Sequence, residues 1–207
     1  VGHADITGDD WGTIFAKSIS GEHRGSPLGL ADVTWENCGW TVKTVSHTSP
    51  YTATGIRLIS GRNSPIFSAG IENVHADLAA TGAAVLRIYN ARIDESLQEH
   101  GELRMVVLVR NMSTLKFVIF EDDIVRFQPT DYRWTTNPRG NFIGTHIATG
   151  RHAFTWQPHG SQFTIHKDVP TCATKFQLLR RPLMIEEQHI INLTKFDSTW
   201  VKVEPRS

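Results

Sequence analysis

Leu28-Gly29-Leu30-Ala31-Asp32-Val33-Thr34-Trp35-Glu36-Asn37-Cys38-Gly39-Trp40-Thr41-Val42-Lys43-Thr44-Val45 is the stretch on which the fold turns. The end of its first half reads as a strand, Glu36-Asn37-Cys38-Gly39 as a turn, and Trp40 to Val45 alternates like a second strand. Together they predict a hairpin. Side chains alternate across a strand, so Thr41 and Lys43 point to one face, and a turn near 36–39 brings Asp32 beside them. An acid able to ligate a divalent cation then meets a cation able to activate water or stabilise charge at phosphorus.

Outward from the hairpin, Trp11, Ile14, Phe15 and Ile19 have the spacing of an amphipathic helix that opens near Asp9-Asp10 and ends at Gly21. Residues 46–75 are polar and turn-rich, with one short strand around Ile56-Arg57-Leu58-Ile59. From Asp77 to about Glu99 the period is helical, with Leu86, Tyr89, Ile93 and Leu97 on one face. Arg104 to Arg110 is nearly all apolar, as in a central strand covered on both sides, and Leu115 to Phe120 is placed to pair with it. Phe154-Thr155-Trp156 and Gln162-Phe163-Thr164-Ile165 are the clearest later strands. This order predicts an α/β protein: one mixed β-sheet flanked by helices, a β-rich C-terminal part, and residues 1–207 as a single domain.

With 207 residues, 40% of them hydrophobic, the chain can bury one sizeable core. Cys38 and Cys172 lack metal-ligand spacing and read as buried thiols of a reducing compartment. No apolar run approaches the ~20 residues that cross a bilayer, and Val1 to Asp5 lacks the regions of a signal peptide. A cytoplasmic protein away from membranes is therefore expected.

An Asp opening one strand and an x-Lys on the next resemble the PD-(D/E)xK nuclease superfamily, which includes many type II restriction endonucleases. The wider run Gly21-Glu22-His23 … Ser26-Pro27-Leu28-Gly29-Leu30-Ala31-Asp32 … Trp40-Thr41-Val42-Lys43-Thr44-Val45 strengthens the likeness, which covers about residues 10–45. It implies a restriction endonuclease-like core, Mg²⁺-dependent hydrolysis of double-stranded DNA to 5′-phosphate products, and a homodimer matching a palindromic site. Lys+Arg and Asp+Glu balance at 21 each, and a nuclease needs both acidic metal ligands and basic phosphate contacts.

Two positions depart from the family pattern. Ala31 stands where the family has Pro, and Thr41 where it has Asp or Glu. A threonine cannot replace a carboxylate as a strong metal ligand, though some superfamily members with Ser or Thr there recruit a carboxylate from elsewhere. No acid lies between Lys43 and Glu72. Glu22 and Glu72 are thus equal candidates to join Asp32 on Mg²⁺, with Glu36 in the hairpin turn behind them. Lys43 would position or deprotonate the attacking water, and Thr41 would orient water or a phosphate oxygen.

Candidate DNA contacts are Arg62 and Asn63, Arg110 and Asn111, and Gln157, His159 and Gln162 in a loop shaped by Pro158 and Gly160. Arg133, Arg139 and Asn141 beside Trp134 form a further basic and aromatic group. Each set has an ordinary counterpart: a cross-strand ion pair for Asp32 and Lys43, a hydrogen-bonded turn for residues 156–162. His146, His152, His159 and His166 leave room for a cupin-like metalloenzyme. The residues are also compatible with a catalytically inactive nuclease-fold DNA-binding protein and with an RNA-directed or non-specific nuclease. Walker, dinucleotide and Gly-x-Ser-x-Gly fingerprints are absent.

Overall fold

The computed structural model describes residues 5–25, 30–180 and 192–193, so Ser26 to Gly29 of the family-like run lie outside the described residues. Helix α1 spans Gly8–Ile19. Thr7 caps it reciprocally: its hydroxyl accepts from the Asp10 amide, and the Asp10 carboxylate accepts from the Thr7 amide at 2.8 Å. Its buried arc runs through Trp11, Phe15, Ile19 and Ala16 and leaves Ile14, expected inside, 48% exposed at its edge.

Strands β1 (Glu22–His23), β2 (Val33–Trp35) and β3 (Cys38–Ser46) form an antiparallel meander. Trp35 pairs with Cys38, so the hairpin turns on Glu36 and Asn37 alone. Asn37 locks it by accepting the Gly101 amide on Oδ1 at 2.9 Å. The chain then leaves this sheet through β4 (Gly55–Arg62) and a short helix α2 (Pro65–Ala69). It returns along α3 (Leu78–Glu99), capped by Asp77, whose carboxylate accepts the Ala80 amide at 2.9 Å. Strand β5 (Glu102–Asn111) lies parallel to β3, and β6 (Lys116–Asp123) turns back antiparallel to it.

With the edge strand β11 (Thr174–Gln177), the first sheet reads β1-β2-β3-β5-β6-β11. The apolar run of β5 is buried on both faces, as its composition predicts. Val106 and Leu108 meet Trp11, Val33, Trp40 and Val42 under α1, while Met105, Val107 and Val109 face the opposite way.

The expected single sheet flanked by helices needs correction. The α/β character holds, but β7 (Tyr132–Thr136), β8 (Phe142–His146), β9 (His152–Gln157) and β10 (Gln162–Asp168) build a second, antiparallel sheet. Strand β4 completes it by pairing with β10. The reason lies in β4's alternation: Ile56 and Leu58 are buried against Met105 and Val107, while Arg57 and Ile59 face out. The inner face of this second sheet, with Phe154, Trp156, Phe163 and Ile165, packs on Val85, Leu86, Tyr89 and Ile93 of α3. No described helix is long and apolar enough to cross a membrane. Cys172 is exposed rather than buried, and the Cys38 thiol is half-buried, with burial pushing its pKa up to about 11.

Candidate active site

Asp32 lies in a bend just before β2. Its amide donates at 2.8 Å to the carbonyl of Trp40, the residue already opposite Val33, and its carbonyl accepts the Arg24 amide at 2.9 Å. Arg24 thus continues the β1 register opposite it. The Asp32 carboxylate is held on one oxygen: Oδ2 accepts the Val42 amide at 2.7 Å and the Thr41 hydroxyl at 3.2 Å. Thr41 is buried, so its hydroxyl positions the acid rather than meeting solvent. Lys43 follows on the same face, half-buried. Burial holds its ammonium below the ordinary lysine pKa; Asp32 pulls the value up and the Arg92 guanidinium pushes it down.

Helix α3 walls this seam. Ser96 Oγ accepts the Leu30 amide at 3.1 Å, and Arg24 pairs with Glu99, whose carboxyl it holds below the usual range. One turn before Ser96, Arg92 donates from Nη2 to Asn63 Oδ1 at 2.5 Å. Asn63 is itself fixed: Nδ2 donates to Val85 O at 2.8 Å, and its carbonyl accepts Trp156 Nε1 at 2.8 Å.

The expected acids are placed unequally. Glu22 pairs with Thr34, which puts it on the face of Asp32 but diagonal to it, on the side away from Lys43. Glu72 is not brought to Asp32. It comes just before Val74, whose carbonyl accepts the Thr81 hydroxyl at the first turn of α3, whereas the seam meets α3 at Ser96, about 27 Å along the axis from Leu78. Glu36 occupies the hairpin turn at the opposite end of β2. The helix supplies what sequence reasoning passed over: Arg92, Glu95 and Glu99 recur at three and four residues along one flank. That spacing was legible among the polar positions of α3. Only the register of the helix against β2 and β3 singles it out.

Three of the expected DNA contacts are structural instead. Asn63 is fully buried, with its donor and both oxygens engaged. Arg110 is buried and grips Asp5 through Nε at 2.7 Å and Nη2 at 2.8 Å, which lowers the Asp5 pKa. Asn111 donates to Thr48 O and accepts the Ser113 and Thr114 amides, shaping its own turn. Trp134 is buried in the core, unavailable to a base. Arg62, Gln162 and Gln157 do come together, as direct neighbours across β4, β10 and β9, with the exposed His159 in the adjoining turn.

The histidines divide similarly. His146, His152 and His166 line a cavity of about 470 Å³, and His159 lies at the other end of β9 and β10. Nε2 of His152 lies 2.8 Å from the Phe154 carbonyl, so that nitrogen carries the proton. The Thr155 hydroxyl, within 3.0 Å of both rings, then accepts from His152 and donates to His166 Nε2. Burial, with His152 and Arg57 adding to it, pushes His166 down to about 4. Arg151 and Lys167 beside them are paired with Asp168 and Asp122. Among the described residues, no three His, Cys, Asp or Glu side chains stand close enough to hold a metal ion, here or at Asp32. No family model matches this chain, and neither does any curated protein or solved structure.

Proposed function

We propose that the chain is a Mg²⁺-dependent deoxyribonuclease of the PD-(D/E)xK type, hydrolysing phosphodiester bonds of double-stranded DNA as type II restriction endonucleases do. The observation that carries this reading is the meeting of Asp32, Thr41 and Lys43 on one face of adjacent strands. Support comes also from the chain order, in which helix α3 and then β5, parallel to β3, follow the hairpin. A homodimer acting on a palindromic site belongs to the same reading.

The residues fit magnesium in the manner usual for that ion, which takes one or two protein carboxylates and completes its shell with water and substrate phosphate. Asp32 would be one ligand, oriented by the hydrogen bonds on Oδ2. Glu95 on the α3 flank or Glu22 on β1 would be the second. When bound, the cation supplies positive charge at the phosphate. Lys43, as the ammonium, would position the attacking water and offset charge at the phosphate. The water oxygen attacks phosphorus in line, its proton passes to solvent, and the bond to the leaving oxygen breaks as that oxygen takes a proton from solvent. Thr41 keeps Asp32 in place by donating to it.

The replacement of an acid by Thr41 favours one second reading, a DNA-binding protein that no longer cuts. Incubating the purified chain with bacteriophage DNA and Mg²⁺ beside Lys43→Ala separates the two. Discrete fragments from the wild type alone support the nuclease. Binding without cleavage at any concentration of Mg²⁺ or Mn²⁺ favours the inactive module.

A further inference from the structure

Arg57 on β4 lies directly opposite His166 on β10, so the two side chains leave the same face of the second sheet side by side. Among the described residues, no carboxylate pairs with this arginine and no acceptor holds its guanidinium. The proton on the His166 ring is fixed by a neighbour. Nε2 accepts from the Thr155 hydroxyl at 2.9 Å, so the neutral ring carries its proton on Nδ1. That N–H has no acceptor among the described residues. The His152 ring stacks on it with centroids 3.9 Å apart. Burial, with His152 and Arg57 adding to it, pushes the His166 pKa down to about 4, which keeps the ring a neutral donor near pH 7.

Both side chains line one recess of about 170 Å³, together with Arg151, Lys167 and Asp168. Three cations and one acid share it. Arg151 is paired with Asp168, and Lys167 with Asp122, which leaves the charge of Arg57 in excess. A planar fork beside a fixed N–H matches the oxygens of a phosphate group. The other cations there are tied to aspartates, so the recess suits a single phosphate rather than a run of them. It also shares Arg151, His152, His166, Lys167 and Asp168 with the cavity of about 470 Å³, a volume ordinary for a small-molecule site. A phosphate seated at Arg57 therefore has room beside it for the body of a small molecule.

We infer that Arg57 and the Nδ1–H of His166 form a seat for the phosphate group of a small ligand, either free phosphate or a phosphomonoester. The seat does not rest on the nuclease reading. The competing role for Arg57 is that of a cation solvated by water alone.

Calorimetric titration of inorganic phosphate, and separately of adenosine 5′-monophosphate, into the full chain in EDTA tests the seat. Arg57 is exposed on an edge strand, so Arg57→Gln should keep the fold. Binding should weaken about tenfold or more in that variant, as for loss of hydrogen bonds to a charged group, and recover in part in Arg57→Lys. Arg87→Gln, at an exposed position on α3, should match the wild type. Tighter binding of the nucleotide than of phosphate identifies a phosphomonoester as the ligand, and equal affinities identify free phosphate. No binding of either by the wild type, or undiminished binding in Arg57→Gln, overturns the proposal. So does a short duplex that binds through Arg57 when neither small ligand does, which would make the recess part of a nucleic-acid face. A second measurement follows the imidazole nitrogens of the unmodified chain by NMR. Phosphate should move the Nδ1 resonance of His166 and leave His159, at the other end of β10, unmoved; an unmoved His166 at saturating phosphate counts against the seat.

Discussion

The Asp32–Lys43 seam and the His152–His166 cavity are two polar regions of one chain, and they differ in how their charges are settled. In the cavity Lys167 and Arg151 each have an aspartate, and the two imidazoles share one threonine hydroxyl. In the seam Lys43 faces a carboxylate, Asp32, that is itself half committed. The cavity offers about 470 Å³, but the charges that line it already satisfy one another. Unsettled charge on rigid strands says more about chemistry than volume does, because a site must keep capacity for the group it binds.

The largest effect should come from attacking the seam itself. Asp32→Asn should lower DNA cleavage by about 10²–10⁴-fold, the range for losing a group that acts on the reacting atoms. Glu95→Gln and Glu22→Gln tell which helix or strand completes it. A loss comparable to Asp32→Asn in one of them identifies the second ligand, and full activity in both removes the two-carboxylate picture. The same changes at Asp168 and Asp122, in the cavity, should leave the cleavage rate within a few-fold.

Stability should follow a different map. Asn63→Ala removes the amide that joins Val85 O to Arg92, and should cost about 2–3 kcal/mol by chemical denaturation, since buried partners are left unsatisfied. A neutral result would mean that water replaces the side chain and that Arg92 is not fixed through it. Gln157→Ala and Gln162→Ala, on the outer face of the same sheet, should stay within about 0.5 kcal/mol of wild type.

Asn63 also shows where reading residues in order stops. The hairpin, α3 and β5 were legible because each has its own signal: a turn between alternating runs, a sustained helical period, an apolar run covered on both sides. Asp32 and Lys43 were legible because a hairpin fixes which positions lie opposite. The second sheet was legible only in β9 and β10, since β7 and β8 are five residues each and β4 joins it by pairing with β10, far along the chain. A polar side chain in a turn-rich segment looks the same whether it faces solvent, like Arg62, or is folded inward like Asn63. Arg92 was passed over because an arginine within a helix's polar positions ordinarily faces solvent.

On the cavity side the expected effect is smaller and depends on pH. His166 has its folded pKa pushed from the ordinary 6.5 down to about 4, so between those values the unfolded chain binds the additional proton. Its contribution to stability is full above about 6.5 and is lost progressively as pH falls toward 4. With solvent screening of this partly exposed ring, the loss is about 1 kcal/mol. Denaturation at pH 7 and pH 5 should show a shallower decline for His166→Gln than for wild type. Parallel declines would show that the sensitivity does not come from His166.

The smallest effect tests whether the two regions belong to one DNA-facing surface. Arg57 and Arg62 are both exposed on β4, one opposite His166 and the other opposite Gln162. Gly61, beside Arg62, touches Arg92, so Arg62 stands at the seam end of the strand and Arg57 at the cavity end. Under the nuclease reading, phosphates that reach the seam pass Arg62. Arg62→Ala should then weaken binding to a short duplex by a similar factor whatever its sequence, and reduce the slope of log affinity against log salt by about one. Arg57→Ala should leave both unchanged. Equal losses from the two would carry the DNA along the whole outer face of the second sheet and make the histidine cavity part of the interface. Loss from Arg57 alone would move the interface away from Lys43, and with it the case for cleavage at that residue.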